Sequence, residues 1–179
     1  MVTATKHSNA YEEVRERALH RLLTAEDLTA LPDDGNRYEI IGGKLIVSPS
    51  PIYRHQQISM KLGNALDTFL TSASIGEIVA APMDVFLSDN DVVQPDLLVV
   101  LNEHANIVQH GRVVGAPDLA IEILSPSSRR TDFLTKSKLY ERFGVREYWI
   151  VDPEEETVSV QTLEGDRYVL TGDYVRGDT

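Results

Sequence analysis

Two acidic residues lie inside segments that are otherwise apolar. Asp96 is in the middle of the run 92–100, and Glu122 is in the middle of the run 119–124. An ionised carboxylate in an apolar sheet costs free energy unless it is paired or bound to a cation. Each acid alone is explained by a buried ion pair or a capping carboxylate. Two acids on neighbouring strands favour a site for Mg²⁺ or Mn²⁺, which bind carboxylates, waters and phosphate oxygens.

A third acid, Glu39, lies in the segment 37–41, where alternation places it on the same strand face as Ile41. Alternatively, Glu39 is a solvent-facing acid in an edge hairpin with no part in a metal site. Asp118 is a less suitable ligand beside Glu122. The two acids are four residues apart on one strand, and therefore about 13 Å apart, which one ion cannot span.

The segments around these acids predict a mixed-sheet α/β or α+β sandwich. The runs 92–100 and 119–124 are typical of strands buried on both faces. Two β-rich segments flank Gly42-Gly43 and predict a hairpin. Helices are predicted over 9–23, 54–70 and 131–143, with Thr131 beginning the last and Gly144 ending it; the other strands are predicted at 76–81, 83–87 and 147–151, with a final hairpin from 157–162 and 167–171.

Composition indicates one compact domain in a reducing compartment. The chain has 179 residues, of which 42% are hydrophobic, and it has no cysteine. Disulfides and thiolate zinc sites are therefore excluded. No apolar run approaches the ~20 residues that cross a bilayer, and residues 1–23 lack the apolar segment of a signal peptide. We expect a cytoplasmic protein without membrane association.

The net charge of −11 argues against nonspecific nucleic-acid binding, which needs clustered Lys and Arg. The charge is unevenly distributed, however. Residues 147–179 contain nine acids and two arginines, whereas residues 129–146 contain six basic and two acidic side chains. This basic helix is compatible with a phosphate substrate, although a solvated helix face is the alternative interpretation.

Several blocks, in order from about residue 24 to residue 169, resemble the Uma2 family of bacterial restriction-endonuclease-like proteins. The blocks are Tyr38-Glu39-Ile40-Ile41-Gly42-Gly43, Ser48-Pro49-Ser50-Pro51, Arg54-His55-Gln56, Gln94-Pro95-Asp96-Leu97, Ala116-Pro117-Asp118-Leu119, Glu122-Ile123-Leu124-Ser125-Pro126-Ser127-Ser128, Asp132 with Lys136 and Tyr140, and Gly144-Val145-Arg146-Glu147-Tyr148-Trp149-Ile150-Val151-Asp152-Pro153. The resemblance divides the chain into an N-terminal helical extension, 1–23, and a restriction-endonuclease-like domain, 24–179.

The resemblance implies a PD-(D/E)xK nuclease site in which Asp96 and Glu122 are metal ligands and Glu39 completes the acidic group. The parent pattern has a lysine two residues after the glutamate, but Leu124 occupies that position. The family alternative is a lysine from the following helix, which is Lys136. Lys138 points about 200° away around that helix. Possible accessory residues are His55, Gln94, Asp132 and Tyr140.

The function implied is Mg²⁺- or Mn²⁺-dependent hydrolysis of phosphodiester bonds in nucleic acid, with DNA as the expected partner and no cofactor besides the metal. Two alternative interpretations remain. One is a catalytically silent scaffold with the nuclease fold, and the other is a nuclease subunit that depends on a partner for DNA binding. The family resemblance also suggests a homodimer, for which the segment 148–151 and the C-terminal hairpin offer apolar surface.

Overall fold

Two mixed six-stranded sheets flanked by helices make up the described part of the chain. The computed structural model describes residues 3–125, 129 and 131–178, without the side chains of residues 3–8, 131 and 132. The helices are α1 Thr3–His20, α2 Ala25–Leu28, α3 Tyr53–Ala73 and α4 Ser137–Phe143, with a 3₁₀ helix at Asn102–Ile107 and a π-helix at Thr131–Lys136. The strands are β1 Arg37–Ile41, β2 Lys44–Ser48, β3 Gly76–Ala80, β4 Val85–Ser88, β5 Asp91–Val93, β6 Leu97–Leu101, β7 Val108–Gln109, β8 Arg112–Val114, β9 Leu119–Ile123, β10 Glu147–Asp152, β11 Thr157–Glu164 and β12 Arg167–Val175.

The predicted mixed-sheet α+β class is confirmed by the strand order. The first sheet runs β2-β1-β5-β4-β8-β7, and the second runs β12-β11-β10-β9-β6-β3. Pairing is antiparallel throughout, except that β4 pairs parallel with β8 and β9 pairs parallel with β10. Strands β6 and β9 are therefore neighbours in the second sheet, whereas β1 belongs to the first sheet beside β5.

The β1–β2 hairpin forms where the glycine pair predicts it. Ile41 pairs with Lys44, and the two intervening residues, Gly42 and Gly43, have φ values of 57° and 73°. A two-residue turn with positive φ at both positions matches the twist of the flanking strands. A Cβ on Gly43 would also lie 2.6 Å from the Cβ of Leu22, so this turn requires glycine for space as well as conformation.

The run 92–100 is not one strand, contrary to the sequence interpretation. It splits into β5 in the first sheet and β6 in the second. The backbone N–H of Gln94 donates to the carboxylate of Glu39, at 2.7 Å, and Pro95 has no N–H to donate. The ladder therefore stops for these residues, and Asp96 lies immediately before β6 and not in the middle of a strand.

The second sheet is apolar on both faces, as its sequence predicts. Leu97, Val99, Ile121 and Ile123 pack on one face with α3, and the alternate residues of β6 and β9 pack on the other with α4. Glu122 belongs to this second set by alternation, next to Ala120. Its carboxylate therefore points towards α4.

Two helices differ from their predicted form. The helix predicted at 131–143 begins with π-helical hydrogen bonding before it continues as α4, and it ends at Gly144, which has φ 80° as predicted. The predicted N-cap side chain of Thr131 lies outside the described residues. Helix α1 begins before the predicted residue 9 and ends at His20.

The N-terminal helix packs on the first sheet. Val14, Leu23 and Ile40 are fully buried together, and Arg17 and Arg21 contact the buried carboxylate of Asp27 at 3.2 and 2.7 Å. The division at residue 23 remains a prediction. None of the described helices is long and apolar enough to cross a membrane.

Candidate active site

Asp96 directly precedes the antiparallel β6–β9 pair, in which Leu97 pairs with Ile121, the neighbour of Glu122. Its Oδ1 accepts a hydrogen bond from Arg37 Nη1 at 2.7 Å. Its Oδ2 is 3.0 Å from His55 Nε2 and 2.8 Å from the backbone nitrogen of Ile123. Burial opposes ionisation, but the hydrogen bond with His55 and the charge of Arg37 hold the pKa of Asp96 at about 2. The carboxylate is therefore ionised and fixed in orientation.

Glu122 is fully buried, and two groups from the next helical segment contact one of its oxygens. Lys136 Nζ and Tyr140 Oη lie 2.8 and 2.9 Å from Oε1. Burial, together with the charge of Glu122, raises the pKa of Tyr140 well above its usual value. The phenol therefore stays protonated, and its O–H donates a hydrogen bond to the carboxylate.

Glu39 joins this group from the other sheet. Its Oε1 is 2.8 Å from Lys136 Nζ and accepts the backbone N–H of Gln94 at 2.7 Å. Lys136 thus bridges Glu39 and Glu122 with a side chain that is 1% exposed. The four residues predicted to be catalytic are all buried, and Lys136 from the helical segment contacts both glutamates.

Arg37 is a member of this group that the sequence interpretation missed. Its guanidinium contacts Asp96, and its Nη1 also donates to the backbone oxygen of Gln94 at 3.2 Å. Although burial opposes its charge, the carboxylates of Asp96, Glu122 and Glu39 raise the pKa of Arg37 above its usual value. The available signal was its position two residues before Glu39, which puts both side chains on one strand face.

The accessory residues have different environments. The side-chain amide of Gln94 donates to Asp84 at 2.7 Å, which ties the loop before β6 to the loop before β4. His55 contacts Asp96 through Nε2, while its buried Nδ1 has no hydrogen-bond partner in the described part of the chain. Tyr140 contacts Glu122 directly. The side chain of Asp132 lies outside the described residues.

Two residues that the sequence excluded as site members lie away from the site. Asp118 is at the opposite end of β9 from Glu122, where its carboxylate accepts the backbone N–H of Leu101 at 2.8 Å and contacts His104 at 2.8 Å. Lys138 is exposed, whereas Lys136 is buried. The neighbouring lysines of this helical segment therefore have different environments.

The chemistry of the donor set fits a hard divalent ion, because Asp96, Glu122 and Glu39 offer carboxylate oxygens. No group of three or more His, Cys, Asp or Glu side chains in the described residues is already arranged around a metal position. In this structure Arg37 and Lys136 form ion pairs with these carboxylates. An ion bound here would therefore lie beside two cations that already contact its ligands.

A cavity of about 400 Å³ opens next to this group. Its lining includes Arg37, His55, Gln94 and Asp96, together with Asn36 and Ser50. Lys136 and Glu122 are not among the residues that line it. A ligand entering from solvent therefore meets the side of the group formed by Arg37 and Asp96.

Comparisons with known proteins agree with this architecture. A crystal structure described as a putative nuclease belonging to DUF820, from Anabaena variabilis ATCC 29413, superposes with a TM-score of 0.72 at 22% identity, covering 88% of this chain and 87% of that one. At this identity the likeness shows the fold. No curated protein matches the chain. The family model of Uma2, with the description "Putative restriction endonuclease", matches residues 25–179. Since that match covers most of its length, the chain belongs to the Uma2 family.

Proposed function

We propose that this protein is a metal-dependent endonuclease that hydrolyses phosphodiester bonds of nucleic acid, with DNA as its substrate. The observation that carries the proposal is the convergence of Asp96, Glu122 and Lys136 from two paired strands and the helix that follows them. Family membership and the nuclease-like fold support the same class of reaction. Paired carboxylates with one cation suit phosphoryl transfer, since the negative charge on phosphate must be neutralised as it increases.

Asp96 and Glu122 would hold Mg²⁺ or Mn²⁺, with Glu39 beside them. The ion would supply Lewis acidity towards the phosphodiester and the attacking water. In the reaction, the water oxygen bonds to phosphorus and gives a proton to solvent, while the bond from phosphorus to the leaving oxygen breaks and that oxygen takes a proton from solvent.

The protein groups have separate tasks in this scheme. His55 and the Ile123 backbone N–H hold Asp96, and Tyr140 holds Glu122. Lys136 lies within reach of both glutamates and supplies positive charge for the developing oxyanion.

The alternative of a catalytically silent scaffold is favoured by one observation. Arg37 and Lys136 already form ion pairs with all three carboxylates without a metal ion. The net charge of −11 also opposes unaided approach to DNA, which favours a nuclease subunit with a DNA-binding partner.

A nuclease panel with Mn²⁺ tests the proposal, using single-stranded, double-stranded and branched DNA together with RNA. The wild-type protein is expected to cleave at least one substrate, and Asp96→Ala is expected to cleave none. Lys136→Ala should abolish cleavage, and the exposed Lys138→Ala should cost little beyond weaker, salt-dependent substrate binding. Equal, modest losses of cleavage in both lysine variants would show that cleavage depends on a basic patch and not on one positioned lysine.

Metal binding separates the nuclease from the scaffold. Divalent ions that bind the native state raise the melting temperature by mass action. Millimolar Mn²⁺ should therefore raise the melting temperature of the wild-type protein and leave that of Asp96→Ala nearly unchanged. An unmoved wild-type melting curve at neutral pH would favour the scaffold.

A further inference from the structure

Arg37 lies between the carboxylate group and the cavity. It is the first residue of β1, and its side chain is 20% exposed, whereas Lys136 is 1% exposed. Of the described residues that line the cavity, Arg37 alone carries a guanidinium or ammonium group. An anion that enters this cavity therefore meets the charge of Arg37 before it reaches that of Lys136.

The hydrogen bonds of Arg37 leave much of its guanidinium available. Both of its hydrogen bonds with described residues, to Asp96 and to the backbone of Gln94, use Nη1. A guanidinium has five N–H donors in a planar fork that matches the geometry of phosphate oxygens. Nη2 and Nε have no hydrogen bond with any residue that the structure describes, and both belong to a side chain in the cavity wall.

The contact with Asp96 fixes where these remaining donors can act. Nη1 is held at 2.7 Å from Oδ1, and Asp96 is in turn held by His55 and by the Ile123 backbone. A guanidinium anchored at one nitrogen has little rotational freedom left to lose when it binds a ligand, so its binding is more favourable. Its position relative to Asp96 is also set in advance.

We propose that Arg37 binds a substrate phosphate in the cavity through Nη2 and Nε, while Nη1 stays on Asp96. This inference rests on the proposed function, which it deepens by assigning the residue that recognises the phosphodiester. Arg37 sets the position of the phosphate relative to Asp96, and Lys136 acts from the buried side. Recognition of the phosphate and neutralisation of the reaction charge are thus assigned to different cations.

Binding of a short fluorescein-labelled single-stranded DNA, followed by anisotropy at low salt with EDTA, tests the proposal without turnover. Arg37→Gln is expected to weaken binding at least about tenfold, since charge-assisted hydrogen bonds to a phosphate are lost. The matched control is Arg54→Gln, which makes the same charge change at an exposed arginine beside Glu156. It should weaken binding by only about twofold, through long-range charge.

Arg37→Lys distinguishes geometry from charge and serves if Arg37→Gln does not fold. Lysine keeps the charge but has no planar fork, so its affinity for the DNA should fall clearly below that of the wild type. Equal affinities of Arg37→Gln and Arg54→Gln, wild-type affinity in Arg37→Lys, or no DNA binding by the wild-type chain would each overturn the proposal. DNA binding that depends on Arg37, without cleavage in any metal, would uphold this inference and refute the nuclease function.

Discussion

Replacement of Lys136 by methionine is the most direct perturbation of the buried charges. Methionine keeps most of the apolar stem but removes the ammonium, which lies 2.8 Å from both Glu39 Oε1 and Glu122 Oε1. Two carboxylates that are 1% and 0% exposed would then face each other without the cation between them. Arg37 would remain as the other described cation close to this pair.

The expected cost follows from this burial. Removal of one partner from a buried ion pair destabilises a protein by about 3–5 kcal/mol, because the remaining charge is desolvated and uncompensated. The free energy of unfolding of a whole protein is about 5–15 kcal/mol, so this loss is a large fraction of it. For a chain of this size the melting temperature should fall on the order of 10 °C. Lys138→Met, at the exposed neighbouring lysine, should change the free energy of unfolding by less than about 0.5 kcal/mol.

Urea unfolding at neutral pH, followed by circular dichroism in EDTA, measures both variants against the wild type. A double-mutant cycle with Glu39→Gln isolates the Lys136–Glu39 interaction, and the double variant should be more stable than the sum of the single losses predicts. If the carboxylates form a metal site, Mn²⁺ should restore part of the stability lost in Lys136→Met, because the ion replaces the ammonium. A loss below about 1 kcal/mol in EDTA would refute the idea that Lys136 holds these carboxylates together.

Three further predictions concern other parts of the molecule. The pKa of Asp96 is lowered from 3.8 to about 2, so its ionised form contributes about 2 kcal/mol to the free energy of unfolding. This contribution is complete above pH 4 and is lost as the pH falls towards 2. The urea midpoint should therefore fall with pH in this range, and Asp96→Asn should flatten that dependence. Asp27→Asn should weaken the contacts of Arg17 and Arg21, so hydrogen exchange in α1 should accelerate while β9 stays protected. Light scattering at micromolar concentration should give the mass of a homodimer, and a monomeric mass would contradict that prediction.

The surface available for the predicted homodimer differs from the sequence interpretation. Tyr148, Ile150 and Val151 are buried in the second sheet, so the segment 148–151 offers little apolar surface. Four side chains of the C-terminal strand are at least 42% exposed: Val169, Leu170, Tyr174 and Val175. Self-association, if light scattering finds it, is therefore expected to use the β11–β12 hairpin, and charged substitutions at Leu170 and Tyr174 should weaken it.

Local signals were sufficient for much of the fold. The glycine pair predicted the β1–β2 hairpin, Gly144 predicted the end of α4, and apolar runs predicted β9 and β10. The break between β5 and β6 was missed because apolar periodicity does not reveal which backbone N–H groups leave the ladder. The 3₁₀ helix at Asn102–Ile107 and the short strands β7 and β8 were missed as well, since elements of a few residues carry too little periodicity to detect.

The acids of the site were predictable because buried charges are costly and stand out in apolar strands. Arg37 was missed although it shares a strand face with Glu39, because an arginine at the start of a hairpin is an ordinary surface residue until the fold is known. Its role depends on the crossover that brings β1 next to the end of β5, where Ile40 pairs with Val92. That pairing joins residues far apart in the chain, and no local pattern reports it.

The split between β5 and β6 has a consequence for how the chain acquires its site during folding. The residues between β5 and β6 contact β1, which is distant in sequence: Arg37 and Asp96 are 59 residues apart, and Glu39 and Gln94 are 55 apart. Such non-local contacts slow folding, because the entropy of closing long loops opposes them. Lys136 lies beyond all of these residues, so a chain emerging from the ribosome holds an incomplete site until both sheets have docked and the segment before α4 has been made. The charged groups of the site thus come from several distant segments, and no single hairpin or helix of the described chain holds them all.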